Sequence, residues 1–265
     1  VSAAGASPAK AAPAIASPAI ALSRRQMLAG AAALPLAALL KVSPLSARPL
    51  SDGPFQVGGY KITPLLDGMF AFPLSILPDA ESPAGAALVK AAGAPAAGPI
   101  PIPVNAFAIE KDGRLALVDT GTGAAGGEAL GKAGRALAAS GLDPARVEAV
   151  ILTHLHVDHA SGAIGVDGKA VYPNAELVLQ HAEIEFWTDD GIRARAPQGM
   201  DGYFGAARAV LAAYPRRIRA VSGEADLWRG LTALPLPGHT PGHMGVMVQD
   251  GTHCLMTWTE SLHVG

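Results

Sequence analysis

The chain predicts a mixed α/β fold (α+β in some schemes), and three observations carry that reading. Strand-length apolar runs alternate with helix-length segments through the second half of the chain. One of those runs, Val147–Leu152, is apolar at every position but Glu148 and reads as a buried strand. It delivers Thr153-His154-Leu155-His156-Val157-Asp158-His159, and the ends of strands are where α/β folds place their sites.

Along the chain, residues 58–66 predict an early strand, with Asp67-Gly68 as a turn. Residues 82–103, rich in Ala, Gly and Pro, read as a long loop with a short helix around Ala86–Ala92, the kind of segment that covers a pocket. Val104–Ile109 and Arg114–Val118 form a hairpin through Glu110-Lys111-Asp112-Gly113. Glu128–Ser140 predicts a helix closed by Gly141. Beyond the His block, Ala170–Tyr172 and Glu176–Leu179 read as strands around Pro173-Asn174. Residues 181–188 and 204–213 read as helices, and Leu231–Leu236, Gly245–Gln249 and His253–Thr257 as strands.

At 265 residues the chain holds one large domain or two small ones. Half of it is apolar and 16% is charged, enough for a substantial core. A net charge of -2 gives no attraction for nucleic acid or an anionic membrane. Aromatics at 5% argue against stacking platforms for single strands, so no nucleic-acid partner is expected. Cys254, the one cysteine, excludes an internal disulfide and a Cys-rich zinc module. Its apolar surroundings in sequence predict a buried, structural thiol.

The N-terminal segment resembles a twin-arginine export signal. Arg24-Arg25 precede an apolar stretch from Leu28 to Leu40, which Lys41 closes. That stretch is shorter than the roughly 20 residues needed to span a bilayer, so no stable membrane insertion is expected. The organisation expected is a disordered arm plus signal over 1–47, with Ser46-Ala47 as the best cleavage candidate, and a catalytic domain over 48–265. The location expected is periplasmic or secreted.

Gly121-Thr122-Gly123-Ala124-Ala125-Gly126 matches a dinucleotide-binding glycine pattern. Asp119 beside it would repel phosphate, and the next strand ends in Thr153-His154 rather than in a ribose-binding acid. A plain Gly-rich turn into a helix is the better reading.

The His block has the chemistry of a metal site, since neutral imidazoles and carboxylates are standard ligands for zinc-type ions. His154 and His156, two apart, converge on one ion. Asp158 and His159 start a turn and point at a second spot, so the loop suits two adjacent ions. His239, after the Leu231–Leu236 strand, supplies a further ligand, whereas His243, on the approach to the next strand, is less apt. Two ions roughly 3.5–4 Å apart repel and call for an anionic bridge. Glu260, at the end of the apolar strand from His253 to Trp258, is the natural candidate.

Four motifs together carry a family resemblance: Leu117-Val118-Asp119-Thr120-Gly121, the His154–His159 block, Gly238-His239-Thr240-Pro241-Gly242-His243, and Trp258-Thr259-Glu260-Ser261-Leu262-His263. The chain resembles the metallo-β-lactamase superfamily over roughly residues 58–265. Ile62–Gly68, Tyr172–Leu177 and the exported leader look most like its methyl parathion hydrolase branch, and acyl-homoserine lactonases are similar too. The resemblance implies a four-layer αβ/βα sandwich with metals at one edge of its sheets. It implies His154, His156 and His239 around a first ion, Asp158 and His159 on a second, and Asp119 as a buried residue orienting the loop. The family normally has Gly-Asp where this chain has Thr259-Glu260. Its last His ligand would fall downstream of Gly265, so the sandwich is expected to be truncated at its C-terminus.

The function implied is hydrolysis of a small-molecule ester, either a lactone or an organophosphate ester, by hydroxide generated at two divalent ions. Zinc is the default, and iron, manganese or cobalt fit similar ligands. Asp158 holds or accepts the water proton, and His263 contacts substrate where some relatives carry Tyr. Trp187 and Phe186 are expected in the core rather than in the pocket wall. A homodimer remains open. The alternative is a metal-binding protein of this fold without hydrolase activity.

Overall fold

A computed structural model describes residues 53–76, 79–80, 82–91 and 98–259. The arm and signal segment over 1–47, Glu260 and His263 lie outside the described residues.

Eleven described strands form two sheets. The larger takes β1 (Phe55–Val57), β2 (Tyr60–Phe72), β3 (Ile100–Lys111), β4 (Arg114–Val118), β5 (Val147–Ile151), β6 (Glu176–Gln180) and β7 (Ile218–Val221) in sequence order. Its first four strands run antiparallel; β4 to β7 are parallel. The smaller sheet is antiparallel, in the order β11 (His253–Thr257), β10 (Met244–Asp250), β9 (Leu231–Pro235), β8 (Ala225–Trp228). The described helices are α1 (Pro83–Ala91), α2 (Ala133–Ala139), α3 (Val157–Ala160), α4 (His181–Thr188), α5 (Asp190–Arg195) and α6 (Asp201–Ala213).

Strand alternation explains why the larger sheet is buried on both faces. Leu115 and Leu117 on β4, and Leu177 and Leu179 on β6, join Leu137, Trp187, Phe204 and Val210 in a core beneath the helices. Ala116, Val118 and Val178 point the other way, into a second core with Leu231, Ala233, Val246 and Val248 of the small sheet. Parallel strands covered on both faces need such near-continuous apolar runs. Among the described residues no helix contributes to the core between the sheets.

Several expectations are corrected. Asp67-Gly68 is no turn: β2 runs through it, with a register shift between Leu66 and Gly68 that bulges the strand against β3. The bulge turns the Asp67 carboxylate inward, where it is fully buried and accepts hydrogen bonds from Thr122 N–H (3.1 Å) and Oγ1 (2.6 Å), Gly131 N–H (2.9 Å) and Ala133 N–H (3.0 Å). Those bonds capture the stretch expected to begin the Glu128 helix, which starts only at Ala133. The short helix expected around Ala86–Ala92 is present as α1, Pro83–Ala91, but β3 begins at Ile100, so the end of the expected 82–103 loop is strand. Cys254 is exposed: it pairs with Gln249 across β10 and β11, while the Leu255–Val248 pair takes the inner face. Ala170 makes only an isolated bridge to Ile164 instead of a strand.

Candidate metal centre

The parallel strands β4 and β5 end side by side, and the loops leaving them are tied together. Asp119, just beyond β4, adopts φ 58 and is buried. Its Oδ1 accepts the Thr153 N–H at 2.8 Å and its Oδ2 accepts the Thr153 hydroxyl at 2.8 Å. The same Oδ2 lies 2.8 Å from His159 Nδ1. A carboxylate acceptor there places the ring proton on Nδ1 and leaves Nε2 with a lone pair. Thr120 adds a second tie, its N–H and Oγ1 both donating to the His159 carbonyl. Gly121 is glycine for a steric reason: at φ 73, a Cβ there would lie 2.2 Å from Asp67 Oδ1. The glycine-rich segment therefore serves as a packed turn over Asp67.

His154 comes three residues after the end of β5 and is fully buried; His156 is half-buried and stands at the N-terminus of α3. His239 comes from the other sheet, on the exposed turn after β9. The two sheets meet here through Met244 N–H, which donates to the Thr153 carbonyl at 3.1 Å. His154 Nε2 lies 3.1 Å from His156 Nδ1, and His239 Nε2 lies 2.8 Å from the same nitrogen. One nitrogen from each of the three rings falls within 4.8 Å of the others. Zn–N bonds of about 2.0–2.1 Å in a tetrahedral frame hold imidazole nitrogens on the order of 3.3 Å apart. Three ring nitrogens gathered this closely are a donor set that fits a zinc-type cation, which relieves the mutual repulsion of their lone pairs.

Asp158 and His159 sit beside this triad. Asp158 Oδ2 lies 3.4 Å from His159 Nε2, and the His159 ring stands 4.2 Å from that of His154, centroid to centroid. These two residues thus face a neighbouring point. Glu260, expected as their bridge, lies outside the described residues, as does His263. His243 is buried, with Nδ1 3.0 Å from the Leu236 carbonyl and Nε2 2.5 Å from Thr259 Oγ1. Trp187 is fully buried in the helical core, its ring edge-on to His156 at 5.5 Å. Tyr203, partly exposed on α6, has its ring 5.9 Å from that of His156.

Sequence reasoning missed Glu183 and Asp67. Glu183 is a buried acid on α4; of its four hydrogen bonds, three reach the two ligand loops and one comes from Trp187 on the same helix. Its one visible signal is the pairing with Trp187 four residues on, which puts an acid and an indole on one helix face. Asp67 was hidden because Asp-Gly reads as a turn.

A sequence profile described as the metallo-beta-lactamase superfamily matches residues 99–255, more than half of the chain. The chain belongs to the metallo-beta-lactamase superfamily. The two packed sheets and their helices are the fold of that superfamily. The crystal structure of a hydrolase, AbOPH, described as in the beta lactamase superfamily, superposes with a TM-score of 0.71 at 28% identity, covering 78% of this chain and 72% of that one. AidC, a dizinc quorum-quenching lactonase, gives a TM-score of 0.68 at 22% identity, covering 77% and 72%, and shows the shared fold. An N-acyl homoserine lactonase, AttM, from Rhizobium radiobacter is 32% identical over 144 residues, 46% of this chain and 48% of its own length. The match thus spans about half the length of that curated relative.

Proposed function

We propose that this protein is a metal-dependent hydrolase of small ester-type substrates, with a lactone ring as the leading class and an organophosphate ester as the second. The observation that carries the proposal is the convergence of His154, His156 and His239, delivered from two different sheets to one point. The relatives named as lactonases support the substrate class.

His154, His156 and His239 would hold a first ion, and Asp158 and His159 would serve a second, with Glu260 as the candidate anionic bridge. Zinc suits imidazole-rich donors of this kind best, with iron, manganese and cobalt behind it. Bound divalent ions supply water activation near neutral pH and polarisation of the ester oxygen. The chain's own groups do the rest. Asp119 holds the His159 ring in the tautomer whose Nε2 faces the site. Asp158 stands partly exposed beside His159, where its carboxylate would hold or accept a water proton. The Trp187 ring, behind His156, limits how far that imidazole turns.

Two measurements test this. Elemental analysis of the purified protein is expected to give two divalent ions per chain. Turnover is then compared on an acyl-homoserine lactone and an aryl phosphotriester. Metal-loaded protein inactive on both would overturn the substrate class and leave a metal-binding protein of this fold. Export by the twin-arginine route belongs to the same proposal, and Arg24→Lys with Arg25→Lys is expected to abolish it in a fractionation experiment.

A further inference from the structure

Glu183 is fully buried on the first turn of α4, yet it carries a carboxylate where an apolar side chain would fill the core at less cost. Its four partners explain the choice. Oε1 accepts the Leu155 N–H at 2.9 Å and the Trp187 indole N–H at 2.7 Å. Oε2 accepts the Thr240 hydroxyl at 2.7 Å and the Gly242 N–H at 3.0 Å. All four neighbours donate, which matches the four acceptor positions of an ionised carboxylate.

The partners stand in three places around the imidazole triad. Leu155 lies between His154 and His156. Thr240 is the residue after His239, with Gly242 two residues further on. Trp187 presents its ring edge to His156. The loop after β5 and the turn after β9 belong to different sheets, and Glu183 is the side chain that grips both. Gly242 lies so close to α4 that a Cβ on it would sit 2.2 Å from the Glu183 nitrogen.

We infer that Glu183 is a positioning residue: it sets the distance between His239 and the His154–His156 pair and thereby the affinity of the site for a divalent ion. This role rests on the triad being a metal site. Each link is local and specific. Losing Oε2 as an acceptor frees the His239 turn, and losing Oε1 frees the backbone between the other two imidazoles.

The test uses the whole chain, stripped with a chelator and titrated with Co2+ alone, read by its visible absorption band and by chelator competition. Glu183→Gln keeps the volume but turns an amide NH2 toward two donors, so one loop loses its acceptor. Its affinity for Co2+ is expected to fall by about 10–100-fold, with an altered band. Thr240→Val removes only the tether to the His239 turn and is expected to weaken binding in the same direction by less. Thr240→Ser keeps the hydroxyl and is expected to restore wild-type affinity and spectrum. Circular dichroism of the metal-free proteins reports folding separately. Folded Glu183→Gln with wild-type affinity and spectrum would overturn the inference. Should Glu183→Gln fail to fold, the Thr240 pair decides, and equal affinities of Val and Ser variants would overturn it. Wild-type protein that binds no Co2+ would instead overturn the metal reading itself, and the inference with it. That arm therefore separates the two failures.

Discussion

The loop after β5 and the turn after β9 both bring imidazoles to the same point, but they are held in different ways. His154 is fully buried, and the backbone around it is fastened by parallel-strand pairing, by Asp119 through Thr153, and by Glu183 through Leu155. His239 is exposed, on a turn whose backbone is tied to α4 by the Glu183 bonds to Thr240 and Gly242 and whose imidazole reaches His156. The first loop is part of the sheet architecture. The second is docked onto it. A metal site assembled this way has a preformed half and an adjustable half, so damage to the two should have different signatures.

The strongest way to sharpen that contrast is to remove one imidazole from each side. His154→Ala is expected to abolish tight metal binding, an affinity loss on the order of 100-fold or more in chelator competition. It should also lower the thermal stability of the metal-free protein, because a fully buried side chain is lost. His239→Ala is expected to weaken metal binding but leave the metal-free melting temperature unchanged. Equal destabilisation by both would break the distinction between a built loop and a docked one.

Asp119→Asn is the next largest. An amide has one oxygen where two are used, so it serves either the Thr153 N–H or the His159 Nδ1–H, and the coupled hold on the loop and on the His159 tautomer is broken. Metal affinity at the His159 side is expected to drop by about 10–100-fold, read as the second equivalent in a titration. Gly242→Ala attacks the docking directly. Its new methyl meets the α4 backbone, and the turn must shift, at about 1–3 kcal/mol in denaturant unfolding.

The smallest effect belongs at the opposite end of the same strands. Arg114 and Glu148, at the starts of β4 and β5, form an ion pair of 2.5 Å that is half exposed. The Arg114 guanidinium holds the Glu148 carboxyl below the usual Glu range. A lowered carboxyl contributes stability above its unfolded pKa and loses it as the pH falls through the folded one. Glu148→Gln should therefore cost about 0–1 kcal/mol at neutral pH, discounted for solvent screening, and nothing in acid. Metal affinity should be unchanged.

Much of the site could be read from residues that are neighbours in sequence. His154, His156, Asp158 and His159 sit on one loop at the end of a strongly apolar strand, and both features are local. The strand before His239 was readable for the same reason. The helix expected over Glu128–Ser140 was overestimated because a distant acid, Asp67, holds the Gly131 N–H outside the helix and accepts the Ala133 N–H at its first residue. β7 and β8 went unseen: each is four residues long and only partly buried, so neither carries a clear apolar period. Cys254 was misjudged because an apolar neighbourhood in sequence does not say which face of a strand meets the core.

By itself the sequence determined which residues bear ligand chemistry, that they stand at strand ends, and that α/β elements deliver them, because hydrophobic period and motif are short-range properties. The tertiary structure decided what no window of sequence contains. It brought His239 from one sheet to His154 and His156 on the other, and it aimed two acids, Asp67 and Glu183, inward at donors as far as 66 residues away. A buried carboxylate is tolerated only where its acceptor positions are filled. Whether those donors exist is settled by packing between distant segments.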